Sequence, residues 1–166
     1  MKLEELGFWY RLRMTHANGL IELSDPVHNL VPVEGRTYLL NTGFKGVAAA
    51  PNWYIGLYSG DYSPTGLETA ATFGALATEF TAYSSATRVP WVPGTVVNGS
   101  VDNAASLSEF IFTTNATVRG SVLVSASSKG STAGVLGSIV RFPSPMAGAI
   151  GSKLSVLAGP TAQSIA

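Results

Sequence analysis

Ser106-Leu107-Ser108-Glu109-Phe110-Ile111-Phe112-Thr113 opens with the clearest polar–apolar alternation in the chain. A period of two belongs to a strand with one buried face, and the β-branched and aromatic residues suit a pleated surface. Downstream, residues 118–125, residues 134–142 and Lys153-Leu154-Ser155-Val156-Leu157 read the same way. Upstream, so do Glu79-Phe80-Thr81-Ala82-Tyr83, Trp53-Tyr54-Ile55-Gly56-Leu57-Tyr58 and Leu20-Ile21-Glu22-Leu23. In residues 79–83, Phe80 is expected on one face and Glu79, Thr81 and Tyr83 on the other. The segments are separated by Ser63-Pro64-Thr65-Gly66, Val92-Pro93-Gly94, Val97-Asn98-Gly99-Ser100, Ser128-Lys129-Gly130-Ser131 and Pro143-Ser144-Pro145. Short strands punctuated by turn residues indicate an all-β sandwich or barrel.

Composition narrows the possible functions. A chain of 166 residues suits one domain and is long enough to bury a core without metal or disulfide staples. It is 46% hydrophobic and only 12% charged, about half the usual charged fraction of roughly 25%. Lys and Arg balance Asp and Glu, so the formal net charge is zero. That argues against a nucleic-acid partner, which calls for a basic stripe, and against a polybasic membrane-surface role. A weakly charged, neutral surface is poorly protected against association, so much of it is expected to be covered by partners. The absence of cysteine excludes disulfides, thiolate metal sites and cysteine nucleophiles. Met1-Lys2-Leu3-Glu4-Glu5-Leu6 carries two acids and no apolar run, so no secretory signal is expected. The charge-free stretch 46–60 is too short and too polar for a membrane helix.

Half of the charged residues lie in residues 1–45, and Ala, Gly, Ser, Thr, Val and aromatics dominate beyond. This shift suggests an N-terminal arm or subdomain, residues 1–35, followed by a β body, residues 36–166, within one globular domain. One short helix is expected at Gly35-Arg36-Thr37-Tyr38-Leu39-Leu40-Asn41-Thr42-Gly43, with Gly43 as its stop. Residues 67–77 read as a helical turn or an irregular loop.

No stretch carries a catalytic signature. The only histidines are His16 and His28, and no G-x-S-x-G elbow accompanies Asp25 and His28. Ordinary polar contacts are the simpler reading of both. The acids Asp61, Glu68, Glu79, Asp102 and Glu109 are scattered, with no sign of a glycosidase pair. Residues 127–134 resemble a phosphate loop but lack the G-x-x-x-x-G-K-[ST] order, and a hairpin loop is the better reading. No cofactor or metal is implied. The most unusual cluster is Phe8-Trp9-Tyr10-Arg11-Leu12-Arg13. Its aromatics and arginines are the residue types that dominate protein interfaces. Phe8, Trp9, Tyr10, Arg11 and Arg13 are therefore candidate partner contacts; burial in the chain's own core is the competing reading. Trp53 and Trp91 read as packing residues, with a sugar-binding platform as the alternative.

From Arg36 onward the order of motifs carries a resemblance. Tyr38-Leu39-Leu40-Asn41-Thr42-Gly43-Phe44-Lys45-Gly46 precedes Trp53-Tyr54-Ile55-Gly56-Leu57-Tyr58. Tyr62-Ser63-Pro64-Thr65, Ala71-Thr72-Phe73, Glu79-Phe80-Thr81-Ala82-Tyr83 and Ala86-Thr87-Arg88-Val89-Pro90-Trp91 follow, then Val118-Arg119-Gly120 and Ser127-Ser128-Lys129-Gly130. Over residues 36–157 this resembles a family of small virion structural proteins of tailed bacteriophages, similar to capsid decoration (cement) proteins. The family's Gly-Asp-Thr-Leu ending reads Gly151-Ser152-Lys153-Leu154 here. The resemblance implies a jelly-roll-like β-sandwich with no catalytic residues. It implies a homodimer or homotrimer, made in the bacterial host cytoplasm and bound to the major capsid protein on the outer capsid surface. On this reading the aromatic arm, residues 8–13, crosses to a neighbouring subunit, and deletion of residues 1–13 weakens attachment more than it destabilises the body. A tail or head–tail position, a carbohydrate-binding sandwich for host attachment and a glycoside hydrolase are the competing expectations.

Overall fold

The computed structural model describes residues 7–162. Its elements, in chain order, are β1 (Gly7–Thr15), β2 (Ile21–Leu23), β3 (Val27–His28), α1 (Val33–Phe44), β4 (Trp53–Tyr58), α2 (Phe73–Ala77), β5 (Glu79–Phe80), β6 (Val89–Trp91), β7 (Ser108–Ile111), β8 (Ala116–Val124), β9 (Leu136–Gly148) and β10 (Lys153–Thr161). They form two antiparallel sheets. The first runs β2-β1-β10-β7, with β3 also on β1; the second runs β5-β4-β8-β9, with β6 also on β4. This is the all-β sandwich expected from the alternation.

The two sheets enclose one apolar core. Phe8, Tyr10, Leu12 and Met14 of β1 meet Ile55, Leu57, Leu123 and Val140 of the second sheet, with Phe110, Leu154 and Val156 beside them. A second cluster lies on the other side of the second sheet. There Ala70, Phe73 and Ala77 cover Tyr58, Val122, Val124, Leu136 and Ile139. The second sheet is thus buried on both faces, which explains the continuous buried runs in β4, β8 and β9. The first sheet keeps one side open. Its β1 alternates buried and accessible residues along its whole length.

Several expectations need correction. Residues 7–15 are not an arm: β1 is an interior strand that pairs with β10 from Gly7↔Thr161 to Thr15↔Lys153. The physical reason is its own period of two, with Phe8, Tyr10, Leu12 and Met14 all facing the core. Residues 1–35 therefore do not separate from the body at the described positions, because β1 and β10 share one core. The expected helix is present as α1, but Gly43 does not stop it: the helix runs through Phe44 to a cap at Lys45, and the left-handed turn, φ 67°, falls at Gly46. The stretch 67–77 supplies a second, five-residue helix, α2. Residues 79–83 form a strand only at Glu79–Phe80. The amide of Tyr83 then turns back to the Thr81 carbonyl at 3.0 Å. This tight turn breaks the alternation, so Phe80 and Tyr83 both enter the core, 6.1 Å apart.

Pro143-Ser144-Pro145 does not end a strand either. β9 continues through it because the register slips between Gly120↔Arg141 and Val118↔Met146. The prolines sit in this bulge, where no ladder bond requires their missing N–H. Val97-Asn98-Gly99-Ser100 behaves as read: Asn98 and Gly99 both take positive φ, 49° and 74°, in a tight turn closed by the Val97↔Ser100 bridge.

Candidate docking surface

In an antiparallel ladder, directly opposed residues project to the same side. This rule places the open face of the first sheet row by row. Leu23, Arg13, Ser155 and Glu109 form one row across β2-β1-β10-β7. Ile21, Thr15, Lys153 and Ile111 form the next. Arg11 stands opposite Leu157, and Trp9 stands between His28 and Gly159. At Gly159 the Val101 carbonyl occupies the place where a Cβ would stand, so the 101–102 segment bounds the face at this end.

Charge on this face is organised. Lys153 Nζ donates to Glu109 Oε1 at 2.8 Å, and Ser155 Oγ donates to the same oxygen at 3.2 Å. The Lys153 bond is the main cause that holds the Glu109 carboxyl below its ordinary pKa; burial opposes it, and the Lys153 charge, the Ser155 bond and, least, the Arg13 charge add to the lowering. Among the described residues, neither Arg11 nor Arg13 lies within 4.0 Å of a carboxylate. Large apolar groups surround them: Ile21 is 50% exposed, Leu23 68% and Ile111 46%, while Trp9 and Leu157 are half-buried.

The five candidate contacts therefore divide. Phe8 and Tyr10 belong to the core, and the Tyr10 hydroxyl shares a 2.8 Å hydrogen bond with Ser138 Oγ. Trp9, Arg11 and Arg13 belong to the open face. Sequence reasoning missed their neighbours Ile21, Leu23, His28, Ile111, Lys153 and Leu157. The alternation within β10 marks Leu157 as lying opposite Leu154 and Val156 in facing, but nothing local shows that it stands beside Arg11. That depends on the β1–β10 register.

A second apolar surface lies on α1. Its N-terminal half is fixed: Gly35 packs against backbone carbonyls of Leu136 and Gly137, and Glu34 Oε2 accepts from the amides of Ala70 and Leu136 at 2.8 and 2.7 Å. Its other half leaves Leu40 and Phe44 in the open, Phe44 at 85%. Between α1 and the sandwich runs an apolar cleft of about 300 Å³, lined by Tyr38, Leu39, Trp53, Trp91, Leu123 and Pro160 among others. Trp91 is buried and its Nε1–H donates to the Ala158 carbonyl at 2.9 Å. Half-buried Trp53 meets Tyr38 edge-on, with ring centroids 5.4 Å apart. Both indoles are engaged in packing.

The acids considered for catalysis each hold a contact within the fold. Buried Arg88 donates from Nε and Nη2 to the two carboxylate oxygens of Glu79, at 2.7 and 2.9 Å. The other bonds of Arg88 go to the Ala126 and Ser131 carbonyls. The Gly130 amide donates to Glu79 Oε2, and Lys129 Nζ donates to the Thr81 and Tyr83 carbonyls, all at 2.9 Å. The loop resembling a phosphate site is thus the β8–β9 hairpin connection, clamped to Glu79 and its neighbours. Glu68 is enclosed by its own loop, Asp61 pairs with Arg141, and Asp102 caps the Ala104 amide.

Among the described residues no helix is long and apolar enough to cross a membrane. Compared with models of known protein families and with curated proteins, the chain matches none.

Proposed function

We propose that this chain is a bacteriophage capsid decoration (cement) protein. It binds the assembled shell of major capsid protein from outside, as a homodimer or homotrimer, and stabilises it. It is made in the bacterial host cytoplasm and resides on the virion. The observation that carries this reading is the open face of the first sheet, where exposed Ile21, Leu23 and Ile111 lie at the Arg13 end and half-buried Trp9 and Leu157 lie beside Arg11 at the other. An exposed apolar patch rimmed by polar groups marks an interaction surface. The overall scarcity of charge, 12% of residues, reduces the desolvation cost of docking. The identity of the partner rests on the motif string of residues 36–157, which resembles phage virion structural proteins.

A protein that binds the assembled shell and not its dissociated subunits stabilises the shell by linkage, about 2.7 kcal/mol per site at a hundredfold excess over Kd. Purified protein mixed with shells that lack it should therefore sediment with them to a saturable occupancy. The decorated shells should survive heat or osmotic shock better. Absence of shell binding, with the protein found on tails of intact virions, would replace this reading with a tail or head–tail position.

A further inference from the structure

We propose that the open face of the first sheet docks an acidic, partly apolar protein surface, with Arg11 and Arg13 as its charge contacts and Trp9 and Leu157 as its apolar centre. The inference rests on the docking role argued above and names the chemistry of the partner.

Charge complementarity is the first argument. The face presents Arg11, Arg13 and Lys153, with Glu109 as the carboxylate in the same rows. Lys153 and Glu109 satisfy each other at 2.8 Å, which leaves the two arginines as the cations of these rows with no carboxylate within 4.0 Å among the described residues. They stand two residues apart on one side of β1, so their Cα atoms are about 7 Å apart. A guanidinium binds a carboxylate through two parallel hydrogen bonds, and a pair at this spacing fits two carboxylates on one surface.

The surroundings select among anions. A phosphate backbone favours an uninterrupted run of cations. Here Leu23 and Ser155 flank Arg13 and Leu157 flanks Arg11, so apolar and small polar groups interrupt the cations. Interleaved Trp, Leu, Ile and Arg is instead the composition of a protein interface. The face carries Arg11, Arg13 and Lys153 against Glu109, so a second copy placed face to face would bring two net-positive surfaces together; the occupant is a different surface, one bearing acids.

The test compares wild type with two variants of exposed residues, Arg11→Glu/Arg13→Glu and, on α1, Leu40→Ser/Phe44→Ser. Thermal melts first establish that both remain folded. Occupancy of undecorated shells is then measured by sedimentation between about 50 and 200 mM salt. Wild-type occupancy should weaken with salt, the arginine variant should bind at least about tenfold more weakly, and the α1 variant should bind as wild type. Wild-type occupancy by the arginine variant would overturn the proposal. If wild type does not bind shells at all, the cement reading fails, and the face is judged separately with fluorescent poly-glutamate. Binding by wild type and loss in the arginine variant would uphold the acidic-surface assignment; no binding would overturn it. Tighter binding to duplex DNA than to poly-glutamate, abolished by the same substitutions, would also overturn it in favour of a nucleic acid.

Discussion

Glu68 shows how one buried charge organises a loop. Its Oε1 accepts from the Tyr62 hydroxyl and the Thr65 amide at 2.6 Å and from Thr65 Oγ1 at 2.9 Å, and its Oε2 accepts from the Gly66 amide at 2.9 Å. Burial pushes the carboxyl pKa up, but the donors together outweigh burial and hold it below its ordinary value. A depressed folded pKa gives stability that is present above the unfolded value, about 4.3, and is lost as pH falls through the folded one. Glu68→Gln replaces one acceptor oxygen by a donor facing donors. It should cost about 1–3 kcal/mol at neutral pH. The variant should also lose less stability than wild type on acidification below about pH 4.3, read from melting temperature against pH. Parallel curves for the two proteins would contradict this account. Tyr62-Ser63-Pro64-Thr65 is visible in the sequence as a turn, but the convergence of four donors on Glu68 is not, because it depends on the path of the whole loop.

Among the elements, α1 is the one whose placement hangs on a single hydrogen atom. Gly35 is buried, and a Cβ there would stand 2.9 Å from the carbonyl oxygens of Leu136 and Gly137. Two effects oppose each other in Gly35→Ala. Helix propensity favours alanine by about 1 kcal/mol. The clash is with backbone of a buried strand, which cannot yield cheaply, and overpacking of this kind costs about 1–3 kcal/mol. The clash should win, giving a net loss of up to about 2 kcal/mol by denaturant titration. Any displacement of α1 would also strain the Glu34 bonds to Ala70 and Leu136. A stabilised variant would show that α1 is not seated on β9 as described. The sequence marks this helix through the Tyr38-Leu39-Leu40 cluster, while its stop lies at Lys45-Gly46 and not at Gly43. It offers no reason for Gly35, which owes its place to β9, about a hundred residues downstream.

At the scale of the molecule, β1 and β10 lie side by side inside one sheet, so the two ends of the described chain close the sandwich. Removal of residues 1–13 takes away Phe8, Tyr10 and Leu12 from the core and leaves the β1 edge of β10 unpaired along most of its length. Each fully buried side chain of this size contributes about 1.5–3 kcal/mol, and the sum approaches the whole stability of a typical domain, about 5–15 kcal/mol. The truncated protein should show no cooperative thermal transition. A folded body with a normal melt would restore the arm. Attachment is therefore better probed by point substitutions on the open face than by deletion.

The sequence by itself determined that the chain is all-β, where most strands lie and that α1 exists, because period-two alternation and turn residues act locally. It also contained the division of β1, since Phe8, Tyr10, Leu12 and Met14 alternate with Trp9, Arg11 and Arg13; composition drew attention to the aromatics and arginines as a group and hid that pattern. Tertiary structure decided the rest. Only sheet pairing sets Leu157 beside Arg11 and Leu23 beside Arg13, brings Arg88 to Glu79, and covers the second sheet on both sides while leaving the first sheet open on one. Those outcomes depend on register and layer packing between residues far apart in the chain, and alternation within a strand carries no information about its neighbour.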